Sequence, residues 1–394
     1  MEEKLIMPAK PGLGSGGVKQ YTLSKGRKVT QITTFCPDFI GPGPTNLYVI
    51  EDKALTLVDT GLPTHLAKKI FYYWRNQKIP SDIKDLPDNL SEMELMSGLN
   101  AAGYSLKDME LLIITHGHLD HFLMGRSIVK KSNVKVLAHI MDTDRISNPW
   151  GLARMVFEGC PKYSAMGMPM PVYATPEYTA CIKKESDDLF VKVDYPLFDE
   201  GPLCVDGISS DFITVKHTPG HSPGSISLVV GSDEDENRLL ISGDVILYPI
   251  TPHPNDLVEY LRTLDKLSRL ENISMALPAH GMNIAEVNAR VEFLKKHHHS
   301  RLKFAFDACK EPKTVWNVAT KPGCFDIFVD PEKFNPLAGN EAYIHMELLE
   351  RGGGIHRLNN HESIHYFQNS GEDFEDVYKR IMEIVDFKIS TVFN

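Results

Sequence analysis

Alternating apolar and polar positions divide residues 28–140 into short strands and helices. Apolar runs bounded by turn-forming residues predict strands over 29–35, 46–50, 55–58, 110–114 and 134–138. Apolar residues spaced three and four apart predict helices over 64–78 and 121–131. The strand over 110–114 is almost wholly apolar, so we expect it to be buried.

The same two patterns return after residue 203 and change again near residue 300. Strands are predicted over 212–216, 225–230, 238–242 and 275–277. Helices are predicted over 256–269 and 285–299. Beyond them, helices and a hairpin with strands over 355–358 and 363–367 replace the strand-and-loop pattern. We therefore expect one domain over 28–298 and a C-terminal helical domain over 299–394.

Three segments fall outside these regular elements. Residues 1–27 are rich in Gly, Pro and Lys and are expected to form an irregular lead-in. Residues 79–100 are polar, contain two prolines and one short predicted helix, and are interpreted as an insertion. Residues 142–203 form a longer insertion, whose Met and aromatic residues either pack an ordinary core or line an apolar acyl- or aromatic-binding pocket. These residues are Trp150, Met155, Phe157, Tyr163, Met166, Met168, Met170, Tyr173 and Tyr178.

The overall composition is that of a globular protein without a membrane span. Of 394 residues, 42% are apolar and 24% are charged. No apolar run is long enough for a transmembrane helix, and the N-terminal residues lack the pattern of a signal peptide. Six cysteines form no C-x-x-C pair, so we expect reduced thiols and a cytoplasmic protein.

The net charge of −10 bears on the choice of partner. Nucleic acids bind basic surfaces, so this charge disfavours a nucleic-acid partner without excluding a local basic groove. We expect a small-molecule substrate and no membrane partner, and a homodimer stays open.

A dense group of ligand-type residues directly follows the strand predicted over 110–114. The group is Thr115-His116-Gly117-His118-Leu119-Asp120-His121. The first two histidines are two residues apart at the end of a strand, so their side chains point the same way. The aspartate and the third histidine begin the next helix. Imidazole and carboxylate are ligands of zinc and related divalent ions, so the pattern predicts a metal site.

Three later strand ends carry further candidate ligands, which a metal site needs because one loop cannot complete it. His217 and His221 enclose a Thr-Pro-Gly sequence after the strand over 212–216, and either could be a ligand. Asp244 and His280 each follow a predicted strand in the same way. A lone histidine in a loop is more often structural, but these candidates support one another because each follows a strand.

These motifs resemble the metallo-β-lactamase superfamily. The resemblance rests on T-H-G-H-L-D-H, H-T-P-G-H-S-P-G-S, S-G-D-V and P-A-H-G, preceded by L-V-D-T-G at 57–61. It covers residues 28–300. It implies an α+β fold in which two mixed sheets pack face to face with helices outside, an αββα sandwich.

The resemblance also implies a site for two divalent cations. The ligands of the first cation would be His116, His118 and His221, since the family pattern favours His221 over His217. The ligands of the second would be Asp120, His121 and His280, with Asp244 bridging the two cations. A histidine and carboxylate set without thiolate suits zinc, with iron or manganese as alternatives. Histidine at 118 resembles the hydrolytic members and not the flavodiiron branch, which has glutamate there.

Such a site implies hydrolysis. Two divalent ions about 3.5–4 Å apart can share a water and lower its pKa toward neutrality. The hydroxide formed from this water would attack a carbonyl carbon or a phosphorus atom of the substrate. One ion would polarise the oxygen bonded to that atom. Asp120 would orient this nucleophile and is the catalytic residue that we predict. The expected reaction is cleavage of an ester, thioester or related acyl bond in a small molecule. A pocket formed by residues 142–203 would lie over the metals.

Three branches of the superfamily compete for the substrate. Glyoxalase II-like thioester hydrolases share the ligand order, but this chain lacks their basic C-terminal glutathione-binding pattern. Lactonases are shorter and lack the extra domain. The third alternative is an endoribonuclease or phosphodiesterase, because residues 348–355 and 299–302 resemble the winged-helix domain of the β-lactamase-like protein 2 group. Some members of that group cut single-stranded RNA.

A few other polar positions are assigned lesser roles. Asp59, in the first motif, is expected to support the ligands by hydrogen bonding. His139 and Tyr248 follow predicted strands and are candidates for contact with substrate. The three histidines at 297–299 point to different faces of a predicted helix, and we expect them at the surface.

Overall fold

Two compact units make up the chain. The computed structural model describes residues 1–37, 42–75, 79–148, 162–169, 190–198, 200–325, 327–359 and 363–387. The first unit consists of Met1–Arg154, Thr175–Pro252 and Leu270–Val287, and the second of Met155–Ala174, His253–Arg269 and Asn288–Asn394. Within the described ranges, no helix combines the length and the apolar character that crossing a membrane requires.

A mixed sheet of eight strands, arranged in chain order, forms one layer of the first unit. Its strands are β1 (Glu2–Met7), β2 (Val18–Thr22), β3 (Lys28–Thr34), β4 (Thr45–Ile50), β5 (Thr56–Val58), β6 (Leu111–Ile114), β7 (Lys135–His139) and β8 (Tyr195–Leu197). The pairs from β1 to β5 are antiparallel, and those from β5 to β8 are parallel. The parallel strands therefore end at a common edge of the sheet.

A second sheet of five strands forms the other layer. Its strands are β9 (Gly201–Val205), β10 (Ile208–His217), β11 (Ile226–Val230), β12 (Arg238–Gly243) and β13 (Ile273–Pro278). Neighbours are antiparallel except β12 and β13, which are parallel. The first sheet contributes Tyr48 and Ile113 to the same apolar core as Phe212 and Leu228 of the second, so the sheets pack face to face.

Strand β4 shows how the sequence pattern creates two cores. Its side chains alternate between the faces of the sheet. Tyr48 and Ile50 lie in the core between the sheets, whereas Leu47 and Val49 lie in a second core on the other face. Both faces are covered, so every residue of this strand is buried.

Helices cover the outer face of the eight-stranded sheet. The helices of this unit are α1 (Thr64–Arg75), α2 (Ser81–Lys84), α3 (Leu90–Ala102), α4 (Leu119–Phe122), α5 (Gly125–Lys131) and α6 (Ile140–Ser147). Leu95 and Leu99 of α3 share the outer core with Ile32. Gly98 permits this approach, because a Cβ there would lie 2.5 Å from Cγ2 of Ile32. The segment interpreted as an insertion at 79–100 thus supplies a core helix.

The N-terminal segment is also part of the sheet, and the prediction of an irregular lead-in over 1–27 was wrong. Strands β1 and β2 pair with each other, and β2 pairs with β3. Glu94 of α3 holds the loop between β1 and β2. Its carboxylate accepts hydrogen bonds from Lys10 Nζ (3.0 Å) and Ser15 Oγ (2.8 Å) in this loop, and from the Phe35 backbone N–H (2.7 Å). The alternation of apolar and polar residues did not reveal β1, because most of this edge strand is exposed and carries charged residues.

The second unit combines helices with a small three-stranded sheet. Its elements are α7 (Leu257–Ser268), α8 (Val287–Ala308), β14 (Lys313–Thr314), α9 (Val315–Ala319), α10 (Pro336–Arg351), β15 (Ile355–Asn359), β16 (Ile364–Gln368) and α11 (Phe374–Asp386). Strand β16 pairs with both β14 and β15, so the predicted hairpin is confirmed. Arg262 of α7 donates to the carbonyl oxygens of Ile384, Val385 and Phe387 at the end of α11. The identification as a winged helix stays a prediction.

Two expectations for this part of the chain differ from the structure. The boundary predicted after residue 298 falls inside α8, and the second compact unit comprises Met155–Ala174, His253–Arg269 and Asn288–Asn394. The expectation that the histidines at 297–299 lie at the surface was wrong for His298, which is fully buried. Of the apolar residues assigned to a pocket, Trp150, Met155, Phe157, Met170, Tyr173 and Tyr178 lie outside the described residues.

Candidate metal centre

Loops at the ends of four strands bring the predicted ligands together. His116 follows β6, His221 follows β10, Asp244 follows β12 and His280 follows β13. The two sheets meet here, because Ile226 N donates to the carbonyl oxygen of Thr115 at 2.9 Å. The seven predicted ligands form two groups, and within each group one ligand atom per residue lies within 4.8 Å of the others.

The first group consists of three imidazole nitrogens and one carboxylate. Nε2 of His116 lies 2.9 Å from Nδ1 of His118, and Nε2 of His221 lies 3.2 and 2.8 Å from these two atoms. Burial and the neighbouring histidines lower the pKa of His116 and His118 well below the usual value, so both rings are neutral. Neutral imidazoles with converging lone pairs form the arrangement that a cation requires.

Asp120, His121 and His280 form the second group, and Asp244 lies between the two. Oδ2 of Asp120 is 3.2 Å from Nε2 of His280. Oδ2 of Asp244 is 3.5 Å from Nε2 of both His121 and His221, and its Oδ1 is 3.7 Å from Nε2 of His280. One carboxylate therefore reaches ligands of both groups, which is the position predicted for a bridge.

The charges in the second group are balanced between acids and histidines. Burial alone would raise the pKa of the Asp120 and Asp244 carboxyls, but His121 and His280 lower it, so both are ionised. Burial alone would lower the pKa of His121, but Asp244, Asp120 and Asp59 raise it well above the usual value. Without metal, the protons on these histidines balance the negative charge of the carboxylates, as a divalent cation would.

Hydrogen bonds behind the ligands fix which ring nitrogen faces the centre. Asp59 accepts from the Thr115 backbone N–H, from Thr115 Oγ1 and from Nδ1 of His121, each at 2.8 Å. Since Thr115 Oγ1 donates to Asp59, it accepts from Nδ1 of His116 at 3.1 Å. Nδ1 of His280 bonds the carbonyl oxygens of Gly43 and Pro44, both at 3.1 Å. The Nε2 atoms of all three histidines are thus directed at the centre, as in protein metal sites.

Unpaired buried atoms test whether this group of residues fits a cation. Among the described residues, neither Nε2 of His121 nor Oδ1 of Asp244 has a hydrogen-bond partner, although both are buried. Buried polar atoms are normally satisfied, so such orphans need an explanation. A shared cation satisfies both atoms, and the residues present fit a divalent metal ion.

Asp59 also has an unusual backbone. Its φ is 60°, in the left-handed region that Asp tolerates better than most side chains. This conformation ends β5 and turns the buried carboxylate toward Thr115 and His121. The structure thus gives Asp59 the hydrogen-bonding position that the sequence predicts.

Asp142 of α6 joins two of the ligand loops, and the sequence reasoning missed it. Its Oδ2 accepts from Gly117 N (2.8 Å) and Ser222 Oγ (2.6 Å), and its Oδ1 accepts from Gly224 N (3.1 Å). Asp142 is buried. The available signal was an acidic residue just after the strand predicted over 134–138, but residue 142 was placed at the start of an insertion.

Arg145, one turn further along α6, places a positive charge beside the ligands. Its stem packs on Gly117, where a Cβ would lie 2.9 Å from Cδ of Arg145. Its guanidinium contributes to the low pKa of His118, and its Nε has no hydrogen-bond partner among the described residues. No motif in the sequence marks this residue.

The remaining candidates lie apart from the two ligand groups. His217 stacks on His139 with ring centroids 3.9 Å apart, and Nε2 of His217 donates to the Pro223 carbonyl oxygen at 2.9 Å. Burial and His217 lower the pKa of His139 to about 4. Tyr248 is 42% exposed, and its carbonyl oxygen accepts from Met282 N. Of the two histidines that competed for the third-ligand role, the structure brings His221 to the centre.

A two-layer sandwich with histidines and aspartates at its strand ends defines a class of metal-binding hydrolases. Residues 40–280 match the family described as the Metallo-beta-lactamase superfamily. The chain belongs to the metallo-β-lactamase superfamily, so the fold class and the assignment to a hydrolytic enzyme are confirmed.

Relatives and solved structures agree with this assignment. The chain is similar to the "Probable metallo-hydrolase YqjP" of Bacillus subtilis, at 23% identity over 78% of this chain and 88% of that one. It is 27% identical to a "Beta-lactamase-like protein 2 homolog" of Drosophila melanogaster, over 41% of this chain and about half (52%) of that relative. A metallo-beta-lactamase family protein from Thermus thermophilus has the same fold, with a TM-score of 0.63, 23% identity and coverage of 86% of this chain and 98% of that one.

Proposed function

We propose that the protein is a binuclear metal-dependent hydrolase that cleaves an ester, thioester or related acyl bond of a small molecule. The observation that carries this proposal is the position of Asp244, whose carboxylate lies within 3.5 Å of Nε2 of both His121 and His221. One ligand shared by two groups is the arrangement that holds two cations close together.

The ligand groups define what metals would supply here. Two divalent cations, with zinc expected and iron or manganese as alternatives, would lower the pKa of a shared water and stabilise the developing oxyanion. The protein's own contribution is to hold seven ligand atoms in place before substrate binds. Asp59 and Thr115 do this by fixing the orientation of His116 and His121.

Asp120 is the residue that we propose to accept the proton of the attacking water. Its carboxyl group is buried and ionised, and its pKa is lowered by His121 and His280 despite burial. It belongs to the second group, and Asp244 lies between the two groups, so a water between the groups is within its reach. An ionised carboxylate at this position can orient the water and take its proton.

Arg145 indicates which substrates the site would prefer. A guanidinium beside the ligands, with an Nε that lacks a partner among the described residues, suits a substrate with a carboxylate or phosphate group. The net charge of −10 supports a small anionic ester or thioester over a long polyanion.

Phosphodiester cleavage is the second candidate function. Arg145 would bind phosphate as well as carboxylate, and helix α10 followed by the paired strands β15 and β16 is compatible with the predicted winged helix. We also propose a cytoplasmic location, since the described cysteines Cys204, Cys309 and Cys324 form no disulfide.

One panel of substrates distinguishes the two candidates. The full-length protein, loaded with Zn²⁺, is assayed on acyl thioesters, lactones, simple phosphodiesters and single-stranded RNA. We expect acyl cleavage that falls about 10²–10⁴-fold in Asp120→Ala. The exposed His65 of α1 provides the control, and His65→Ala should keep full activity. Cleavage of RNA or phosphodiesters alone, lost in Asp120→Ala, would replace the acyl proposal with the second candidate.

A further inference from the structure

A second cluster of histidine and carboxylate side chains lies in the helical unit. Helix α8 carries His297 and His298, and α10 carries Glu341 and His345. His298, Glu341 and His345 are all buried, with exposed fractions of 0%, 3% and 1%. One ligand atom from each of His297, His298 and Glu341 lies within 4.8 Å of the others. This cluster shares no residue with the centre described above.

A chain of hydrogen bonds determines the protonation of His298. Nδ1 of His345 donates to the carbonyl oxygen of Glu341 at 2.6 Å. Burial lowers the pKa of His345, so its ring is neutral and its Nε2 is an acceptor. Nδ1 of His298, 3.1 Å away, must therefore donate to it. Burial and His345 also lower the pKa of His298 well below the usual value, so Nε2 of His298 carries a lone pair.

That lone pair is left without a partner. Nε2 of His298 is buried and makes no hydrogen bond to any part of the chain that the structure describes. In protein metal sites, a ligating histidine typically donates its other ring N–H to a neighbouring acceptor. His298 has this arrangement, with His345 as the acceptor. The imidazole is thus oriented as a ligand.

Glu341 supplies a negative charge close to the His298 ring. Its Oε2 lies 3.2 Å from Nδ1 of His253, and its Oε1 lies 4.0 Å from Nε2 of His297. Burial alone would raise the pKa of this carboxyl, but the hydrogen bond with His253 and the neighbouring histidines lower it. The carboxylate is ionised in the interior, where charges are paired or bind metals.

We propose that His297, His298 and Glu341 form a third metal site, which takes a single divalent transition-metal ion of the Zn²⁺ type. Two imidazoles and a carboxylate are a common zinc ligand set, and His253 or a water would complete a tetrahedron. Tetrahedral zinc keeps its ligand atoms about 3.3 Å apart, so ligand atoms that lie up to 4.8 Å apart would close by up to about 1.5 Å when the ion binds. The ion would tie α8 to α10 within the helical unit.

The histidine next to the cluster provides a matched control. His299 points to a different side of α8, where its ring packs edge-on against Phe374 and Tyr378 of α11, at centroid distances of 5.2 and 4.5 Å. A metal site therefore requires His298 and not His299, although the two are adjacent in the sequence.

Metal content in a protein without the first centre tests the proposal. The double variant His116→Ala/Asp244→Ala removes ligands of both cations in the first unit and leaves the helical unit unchanged. We expect it to retain about one equivalent of zinc by elemental analysis, the stoichiometry of a single site. Adding Glu341→Gln should abolish this binding, whereas adding His299→Gln should not. No bound metal in the double variant, or metal that survives Glu341→Gln, would overturn the proposal.

A spectroscopic measurement covers the case in which Glu341→Gln fails to fold. Co²⁺ is added to the chelator-treated double variant, in which every residue of the helical unit is native. We expect the visible absorption bands of tetrahedral Co²⁺ at one equivalent, and their loss when Zn²⁺ is added in excess. A spectrum of octahedral, solvent-like Co²⁺ would contradict the site. The first-centre substitutions are shared by all samples, so the result does not depend on the proposed hydrolytic function.

Discussion

The metal centre of the sandwich and the histidine cluster of the helical unit use similar ligands on different supports. In the sandwich, the candidate ligands lie on loops at strand ends and on the short helix α4, and residues such as Asp59 and Asp142 hold them in place by hydrogen bonds. In the helical unit, the candidate ligands on α8 and α10 lie within helices, and their spacing is fixed by helix packing. The candidate ligands of the two regions are therefore held by different contacts, hydrogen bonds to the loops in the sandwich and helix packing in the helical unit.

The largest effect is expected from removing the carboxylate shared by both ligand groups. Asp244→Ala takes a ligand from both groups at once, so both cations should be bound weakly or not at all. We expect hydrolytic activity to fall by at least about 10³-fold, the scale for losing an electrostatic contact at a reacting centre. Activity assays and elemental analysis check this. Loss of metal from the helical cluster in the same variant would contradict the inference that the two regions bind metal independently.

A smaller effect is expected from Asp59, which touches ligands without being one. In Asp59→Asn, an NH₂ group replaces one carboxylate oxygen. An NH₂ group only donates, so the side chain can no longer accept all of the hydrogen bonds from Thr115 and His121. Metal affinity should fall about 10–100-fold, as for other residues behind metal ligands. Competition with a chromogenic chelator measures it. The exposed Asp88→Asn serves as the control, and an equal loss of affinity in both variants would refute the role of Asp59.

Asp142 should affect stability as well as the metal centre. Asp142→Ala leaves the Gly117 and Gly224 N–H groups without their acceptor, so the free energy of unfolding should fall by about 1–3 kcal/mol. Metal affinity should fall modestly, because the ligand loops lose a common anchor. Urea unfolding and chelator competition give the two numbers. Unchanged stability would show that the loops hold their positions without this carboxylate.

The smallest effect concerns protons released when metal binds. The acids around His121 raise its pKa, so it is protonated in the metal-free protein and must lose that proton to become a ligand. Metal affinity of the second group should therefore weaken as the pH falls further below that raised pKa. His116, His118 and His298 have lowered pKa values and have no proton to release.

Calorimetry of Zn²⁺ binding in two buffers with different ionisation enthalpies separates these cases. In wild type, we expect proton release that falls in His121→Ala and disappears in His121→Ala/His280→Ala, because Asp244 and Asp120 raise the pKa of both histidines. The double variant His116→Ala/Asp244→Ala should release none from His298. Proton release that persists without both His121 and His280 would show that another group in the centre carries the proton.

The sequence predicted the sandwich correctly, and also the candidate ligands that the structure brings together, because both follow short-range patterns. Four ligands fall within six residues, His116 to His121, and the others each follow an apolar strand that could be recognised on its own. Strand β10 ends at His217, so spacing alone left two histidines open for one role. The structure resolves this, since His217 stacks on His139 and His221 faces the centre.

The features that the sequence missed depend on contacts between distant residues. Asp142 acts on loops 25 and 80 residues away, and no local pattern marks such a contact. His298 and Glu341 are on different helices, so only the packing of α8 against α10 shows that they are neighbours. Strand β1 is exposed at a sheet edge, and its charged residues masked the alternation that identifies buried strands.

Glu94 has a consequence for how the protein can be produced. Two of its three hydrogen-bond donors, Lys10 and Ser15, belong to the first seventeen residues. An expression vector that starts translation at Val18 would leave a carboxylate in the interior with only the backbone N–H of Phe35 as a donor. It would also remove β1, the strand that covers the edge of β2. Such a truncated protein would expose a sheet edge, which favours aggregation during purification.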